Sequence, residues 1–436
     1  MKILVSGTGY VGLVTAICLA EKGHEVICYD VVKEKIDILN SGKSPIYEPG
    51  LEELMKKNKD KIKYTYNKEE AYRDLDVVFI GVGTPEKIDG SANLDYIYAV
   101  ADDIVENINK DCLVIIKSTV PIGTNYKIEK YIQDKLNGKY KIEIASNPEF
   151  LSQGTAVRDT LEAQRIVIGT HSEWAEKTIK EIYKNFDKSV IVSTDINSAE
   201  MIKYASNDFL ALKISYINEI ANLCEVLNAN IEDVAFGMGL DKRIGNKFLK
   251  AGIGYGGSCF PKDTKALHWL AKINECELKT IKAAIDVNQN QKLKLIEKSK
   301  KYYDNLKGIN VSVLGLAFKP GTDDLREAPS LINIEYLENN GAKISAWDPI
   351  ARKNFSKKFP NINYCDTIEE TLENADICFI FTEWPEIVKF NVKNYESLMK
   401  KPIILDGRNC YKLDEIEKYS VIYESIGRRT INNVKN

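Results

Sequence analysis

Met1-Lys2-Ile3-Leu4-Val5-Ser6 runs straight into Gly7-Thr8-Gly9-Tyr10-Val11-Gly12. An apolar run ending in G-x-G-x-x-G, followed by an Ala/Leu-rich stretch closed at Lys22-Gly23, reads as strand, tight turn and helix. His24 to Asp30 reads as the next strand. The three glycines differ in what they permit. Gly7 allows the turn, Gly9 lets the backbone approach a pyrophosphate, and Gly12 lets the helix pack closely. The helix N-terminus adds amide donors and a favourable dipole for phosphate. Asp30 closes the second strand, where a carboxylate suits ribose hydroxyls and repels a 2′-phosphate, so NAD is expected over NADP.

The pattern recurs. Ile309 to Gly315 leads to a helix expected from about Ser330 to Asn340, then to Gly341-Ala-Lys-Ile-Ser-Ala-Trp-Asp348, and Leu75 to Val82 is echoed by Ala375 to Thr382. The expected fold class is α/β: two Rossmann-like, mainly parallel sheet domains joined by a long central helix and helical region. The expected boundaries are 1–195 for the NAD domain, 196–304 for the helical region and 305–436 for the second sheet domain. The second half lacks the fingerprint, since Gly315-Leu-Ala-Phe318-Lys319-Pro-Gly321 is wider and carries a cation. It therefore reads as the site of a different phosphate compound.

A length of 436 residues fits two or three domains at about 150 residues each. Sixty Lys and Arg against 63 Asp and Glu leave a net charge of -3, which gives no general attraction for nucleic acid or anionic membrane. No stretch approaches the roughly 20 apolar residues of a membrane span, and the first residues read as folded structure, so a cytoplasmic protein is expected. Nine Cys without a CxxC pair fit reduced thiols and no metal framework.

From Asn197-Ser-Ala-Glu200, read as a capping box with Asn197 as cap, apolar or aromatic residues fall at 202, 205, 209, 212, 216, 220, 223 and 227. The spacing predicts a helix of about 45 Å at 1.5 Å per residue. Its stripe is expected both to span between the sheets and to meet a second subunit. Lys203 and Asn207, four apart, share a face and can address one ligand.

Phe248-Leu249-Lys250-Ala251-Gly252-Ile-Gly-Tyr255-Gly256-Gly-Ser-Cys259-Phe-Pro-Lys262-Asp263 sets one thiol in a glycine-dense loop with a cation and a carboxylate beyond it. An aldehyde has no hydride to give until something adds to its carbon. A thiolate can add to it, making a thiohemiacetal whose second oxidation leaves a thioester for water. Lys262 and nearby backbone amides favour the thiolate. A lone Cys is most often a buried inert thiol, a reading that fits poorly with Gly-Gly-Ser-Cys259-Phe-Pro-Lys-Asp, and Asp263 taken singly could be a simple helix cap.

With Gly81-Val-Gly-Thr84-Pro85, Ser118-Thr119-Val-Pro121, Asn147-Pro-Glu149-Phe150-Leu151, Arg326-Glu-Ala-Pro-Ser330 and Asp406-Gly-Arg408 added, the chain resembles the UDP-glucose/GDP-mannose dehydrogenase family over nearly its whole length. The stretch Thr160 to Gln164 departs mildly from the relatives. The resemblance implies NAD-dependent, twofold oxidation of UDP-glucose at C6 to UDP-glucuronate, with UDP-N-acetylhexosamine or GDP-mannose as the alternative substrates. A nucleotide-sensing protein without turnover is the reading from another class.

The resemblance implies Cys259 as nucleophile, Lys203 stabilising oxygen charge, Asn207 donating a hydrogen bond and Asp263 ordering the lysine and a water. Thr119 and Glu149 match a water-holding pair, with Glu149 as base. On the cofactor side it implies Gly7, Gly9, Tyr10, Val11, Gly12, Asp30, Lys35, Thr84, Thr119, Glu149, Lys262 and Arg326. Lys35 and Arg326 otherwise read as solvated surface charges. For the sugar nucleotide it implies Glu149, Phe150, Leu151, Ser152, Gln153, Lys203, Asn207, Phe248, Leu249, Lys250, Ala251, Gly252, Gly256, Phe318, Lys319 and Arg408. Arg243 matches an arginine that reaches the neighbouring subunit's site, so a homodimer is implied.

Overall fold

The computed structural model describes residues 1–434. The chain forms two compact units, Met1–Ser206 and the residues from Asn207 onward.

In the first unit the strands are β1 (Lys2–Ser6), β2 (Glu25–Tyr29), β3 (Ile62–Thr65), β4 (Val77–Ile80), β5 (Cys112–Ile116), β6 (Ile142–Ser146), β7 (Arg165–Gly169) and β8 (Val190–Thr194). They form one sheet in the order β3-β2-β1-β4-β5-β6-β7-β8. Neighbours run parallel except β6 and β7, which meet antiparallel at Ser146 and Gly169. Every residue of β4 and β5 is buried, as a central strand covered on both faces requires. Alternation then divides the core: Val5, Phe79 and Ile115 pack on one face, Leu4, Val78 and Val114 on the other.

The second unit holds β9 (Asn310–Leu314), β10 (Lys343–Trp347), β11 (Asn363–Tyr364), β12 (Ile377–Ile380), β13 (Ile403–Asp406), β14 (Ile422–Glu424) and β15 (Ile431–Asn432). Their order is β11-β10-β9-β12-β13-β14-β15, with β15 antiparallel to β14. The internal echo is therefore topological: β1 pairs with β2 and β4 as β9 pairs with β10 and β12. The helix between β9 and β10 spans Pro329–Asn339 and opens on proline, whose fixed φ suits a first helical turn.

The long helix runs Ile196–Leu227, 32 residues, so it begins earlier than the capping box places it. The cap is Asp195, whose carboxylate accepts the Ser198 amide at 2.8 Å and the Ser198 hydroxyl at 2.6 Å. Glu200 instead turns inward and accepts the Gly123 and Asn125 amides. Much of the apolar stripe is exposed in the single chain. Phe209, Tyr216, Leu223 and Leu227 are exposed, whereas Asp208, Ala211, Ser215, Asn218 and Ala221 are buried. Small and polar residues let the helix lie close against its neighbours, with side-chain hydrogen bonds such as Ser215 to the Ala284 carbonyl at 2.8 Å.

Candidate active site

The first unit carries a dinucleotide cradle. Gly7 takes φ +98°, a conformation that favours glycine, and its amide donates to the Tyr29 carbonyl at 2.8 Å. The helix Tyr10–Glu21 starts after Gly9. A methyl group on Gly12 would lie 1.9 Å from the Gly7 carbonyl oxygen, while one on Gly9 would meet nothing within 4 Å. The turn thus closes tightly at Gly7 and Gly12 and stays open at Gly9, the arrangement that a pyrophosphate needs.

Asp30 receives the Thr8 amide at 2.9 Å, the Thr8 hydroxyl at 2.7 Å and the Val32 amide at 3.0 Å, and Lys35 approaches at 3.4 Å. Burial alone would lift this carboxyl; the hydrogen bonds from Thr8 and Val32 and the Lys35 charge hold it below its usual range. It is therefore an anion fixed at the end of β2. The structural counterpart at the end of β10, Asp348, is fully buried and receives the Leu316, Ala317, Ile350 and Ala351 amides and the Trp384 indole. Those five bonds commit it to its own turn, which explains why this half lacks a ribose acceptor.

The first unit also pairs Thr84 with Thr119, after β4 and β5, and Glu149, after β6, with Lys203 on the long helix. The Thr84 hydroxyl donates to the Thr119 carbonyl at 2.8 Å. Glu149 accepts the Lys203 ammonium at 2.9 Å on one oxygen and the Leu151 amide at 2.7 Å on the other. The Phe150 ring has the Arg165 guanidinium 3.8 Å from its centroid and the Lys203 ammonium at 5.5 Å.

Two supports of this cluster are not evident from the motifs. Buried Lys117 donates to Asn147 Oδ1 at 3.1 Å and the Tyr183 hydroxyl at 3.4 Å, two residues upstream of Glu149. Glu48, buried, accepts the Gly154 and Ala156 amides at 2.7 Å each and pins the loop that contains Ser152 and Gln153. A lysine directly after the apolar strand Cys112–Ile116 was the available signal for the first; Glu48 has none, because its partners are distant in sequence.

The second unit carries the thiol loop. Cys259 is the N-cap of the helix Phe260–Ile273, the position where a helix favours an anionic sulfur. It is half-buried, in contrast to Cys18, Cys28 and Cys112, whose thiols burial pushes up to about 12. The loop is fastened at successive points: Gly252 amide to Asn218 at 2.8 Å, Ile253 amide to the Gly407 carbonyl at 3.0 Å, Tyr255 amide to Asn288 at 2.8 Å and Gly257 amide to the Arg326 carbonyl at 2.7 Å. A methyl group on Gly256 would stand 2.4 Å from the Glu327 carbonyl oxygen. The glycines are there because backbone passes against backbone.

Next to the thiol, Asp263 accepts Asn207 Nδ2 at 2.7 Å and Lys262 Nζ at 2.5 Å. Arg408 donates to the Phe381 carbonyl at 2.9 Å, the Gly254 carbonyl at 3.1 Å and the Phe318 carbonyl at 3.4 Å, and so ties the loop to the ends of the second sheet. Lys319 lies beside Phe318, with its ammonium 5.5 Å from that ring. Leu249 and Ala251 are buried, while Phe248 and Lys250 are exposed. Arg326 forks onto Asp324, and Arg243 onto Asp241 on an exposed turn. Lys262 and Arg326, expected on the cofactor side, belong to the second unit. The first unit thus brings together Gly7 to Gly12, Asp30 and Lys35, and separately the pair Thr84 and Thr119 and the pair Glu149 and Lys203. The second brings together Asn207, Cys259, Lys262 and Asp263.

Three domain descriptions of the UDP-glucose/GDP-mannose dehydrogenase family match the chain: the NAD binding domain over residues 1–187, the central domain over 197–290 and the UDP binding domain over 312–413. The chain is 49% identical over 434 residues to UDP-glucose 6-dehydrogenase YwqF of Bacillus subtilis, covering 99% of this chain and 98% of that one. It is 45% identical to UDP-glucose 6-dehydrogenase TuaD of the same organism, covering 99% and 94%. A solved UDP-glucose dehydrogenase from Pyrobaculum islandicum superposes with a TM-score of 0.92 at 35% identity and 98% coverage of each chain.

Proposed function

The chain belongs to the UDP-glucose/GDP-mannose dehydrogenase family, and on that premise we propose that it is an NAD-dependent oxidoreductase that takes the C6 alcohol of UDP-glucose to the carboxylate of UDP-glucuronate. The observation that carries the reading is a thiol at a helix N-cap in a glycine-rich loop, in the same chain as an open dinucleotide turn closed by an ionised Asp30. When bound, NAD supplies the hydride acceptor for each of the two oxidations.

The chain's own residues account for the rest. Glu149, held by Lys203 and the Leu151 amide, is the base that receives the hydroxyl proton and later orients water with Thr119. Cys259 sulfur adds to the aldehyde carbon to form a thiohemiacetal, and loss of the second hydride leaves a thioester. Water then adds to that carbonyl, the carbon–sulfur bond breaks, and the thiol is restored as the carboxylate forms. Lys203 and Asn207 stabilise negative oxygen in the tetrahedral species, and Asp263 aims the Asn207 amide. Gly7, Gly9, Tyr10, Val11, Gly12, Asp30, Lys35 and Thr84 hold the cofactor, with Lys262 and Arg326 assigned to it as well. Phe150 to Gln153, Phe248 to Gly252, Gly256, Phe318, Lys319 and Arg408 receive the UDP-sugar, Lys319 meeting the diphosphate.

The same reading divides the chain at 1–195, 196–304 and 305–436. It includes a homodimer in which Arg243 reaches the neighbouring site; the exposed Phe209, Tyr216, Leu223, Leu227, Phe236 and Leu240 support it as apolar surface on successive helices. No helix among the described residues is long and apolar enough to cross a membrane. A cytoplasmic setting, in which thiols stay reduced, completes the proposal.

The test is stoichiometry. UDP-glucose with NAD should yield two NADH and one UDP-glucuronate per sugar, and UDP-glucose should lead a panel with UDP-N-acetylhexosamines and GDP-mannose in kcat/KM. One NADH per sugar, or none, counts against the function, and a different leading sugar counts against the substrate.

A further inference from the structure

Asp208 follows Asn207 on the long helix, and the chemistry above does not use it. Its side chain is 1% exposed, and neither carboxyl oxygen receives a hydrogen bond from a described residue. The charged groups around it are Asp263 and Lys262 from the helix that follows Cys259, and the Tyr255 phenol faces it from the thiol loop. That phenol is already bonded to Ser215 and Thr264. Asp263 is committed too, one oxygen to Asn207 and the other to Lys262. An ionised carboxylate in such a place carries its desolvation cost with no donor to offset it, so the neutral acid is the stable form.

We propose that Asp208 is a positioning residue of the oxidation: as a neutral acid it leaves the Asn207–Asp263–Lys262 chain of hydrogen bonds intact, and as a carboxylate it repels Asp263 and competes for Lys262, so that Asn207 loses its aim. The inference rests on the dehydrogenase reading, since it acts through Asn207 and Asp263.

The direction of the titration agrees with the geometry. Burial first, and then the like charge of Asp263, lifts the Asp208 carboxyl to about 8, against the pull of Lys262. Below that pH the acid is neutral and the chain is held; above it the second anion forms. Between pH 7 and pH 9 the neutral fraction of such a group falls about tenfold.

The experiment measures kcat and KM for UDP-glucose at pH 7 and pH 9 in the wild type, Asp208→Asn and Asp208→Ala. The wild type is expected to lose about tenfold in kcat between the two pH values relative to both variants. Equal pH 7 to pH 9 ratios in all three proteins overturn the inference. A uniform loss of activity in the variants with the same ratio would mark a structural role only, and overturns it equally. Infrared spectroscopy of the wild type supplies an independent arm, because a neutral buried carboxyl gives a carbonyl band that disappears as the pH is raised through its titration. Absence of that band at pH 7 overturns the inference whatever the activity. A wild type inactive on UDP-glucose overturns the assigned function instead, and the band then still decides whether Asp208 is neutral.

Discussion

The Lys203 ammonium donates to the Glu149 carboxylate across 2.9 Å with both side chains almost wholly buried, 4% and 6% exposed. Each charge offsets part of the other's cost of leaving water, so removing one leaves its partner less well compensated. Lys203→Met and Glu149→Gln are each expected to lower the unfolding free energy by about 3–5 kcal/mol in urea melts, with the double variant recovering part of that loss. In both single variants kcat/KM should fall by roughly 10²–10³. Single variants as stable as the wild type would contradict the pairing.

Replacing the sulfur separates binding from chemistry. Cys259→Ser is expected to bind UDP-glucose by calorimetry within about threefold of the wild type, since the exchange removes one reactive atom and little shape, yet to form no UDP-glucuronate. Normal turnover in this variant would eliminate the covalent step.

Gly9 and Gly12 make opposite predictions although they lie in one turn. Gly12→Ala puts a methyl group 1.9 Å from the Gly7 carbonyl oxygen and should destabilise the first unit by a few kcal/mol, about 2–4. Gly9→Ala meets no protein atom within 4 Å, so its melting temperature should match the wild type while its affinity for NAD falls about tenfold or more. Equal effects of the two substitutions on stability would refute the separate roles.

Lys117 gives a pH signature. Burial chiefly, against Glu149 and aided by Lys203, depresses its ammonium from 10.5 to about 8. The unfolded chain keeps this proton to about 10.5 and the folded chain releases it near 8, so between those values the unfolded state binds more protons and stability rises with pH. The cost of the buried charge is fully present below about 8. Relative to Lys117→Met, the wild type should gain about 1 kcal/mol in unfolding free energy between pH 7 and pH 9. A pH-independent difference would show that Lys117 does not titrate there.

The cradle was legible in the sequence because its physics is local: a turn, a helix start and a strand-end carboxylate follow one another within the first thirty or so residues. The thiol loop was legible for a similar reason, since its glycines are spaced by the contacts they permit. The orientation of the long helix was not. Periodicity marked an apolar stripe through Phe209, Tyr216 and Leu223, which is exposed in the single chain, but not the face through Asp208, Ala211, Ser215 and Asn218 that the chain buries. That buried face is built of small and hydrogen-bonding residues, Ser215 on the Ala284 carbonyl among them, and an apolar-period count cannot see that choice. Lys117 and Glu48 escaped notice for another reason: each acts on backbone or side chains 30 or more positions away.

The saturated Asp348 has a kinetic corollary. With Asp348 committed to its own turn, the open dinucleotide turn described above is the one beside Asp30, yet the proposed four-electron oxidation would consume two dinucleotides. Under that reading, spent carrier would depart and a fresh one arrive midway, and an untethered aldehyde could escape during that exchange. On the proposed mechanism, a carbon–sulfur bond at Cys259 would moor the half-finished sugar until the replacement is aboard.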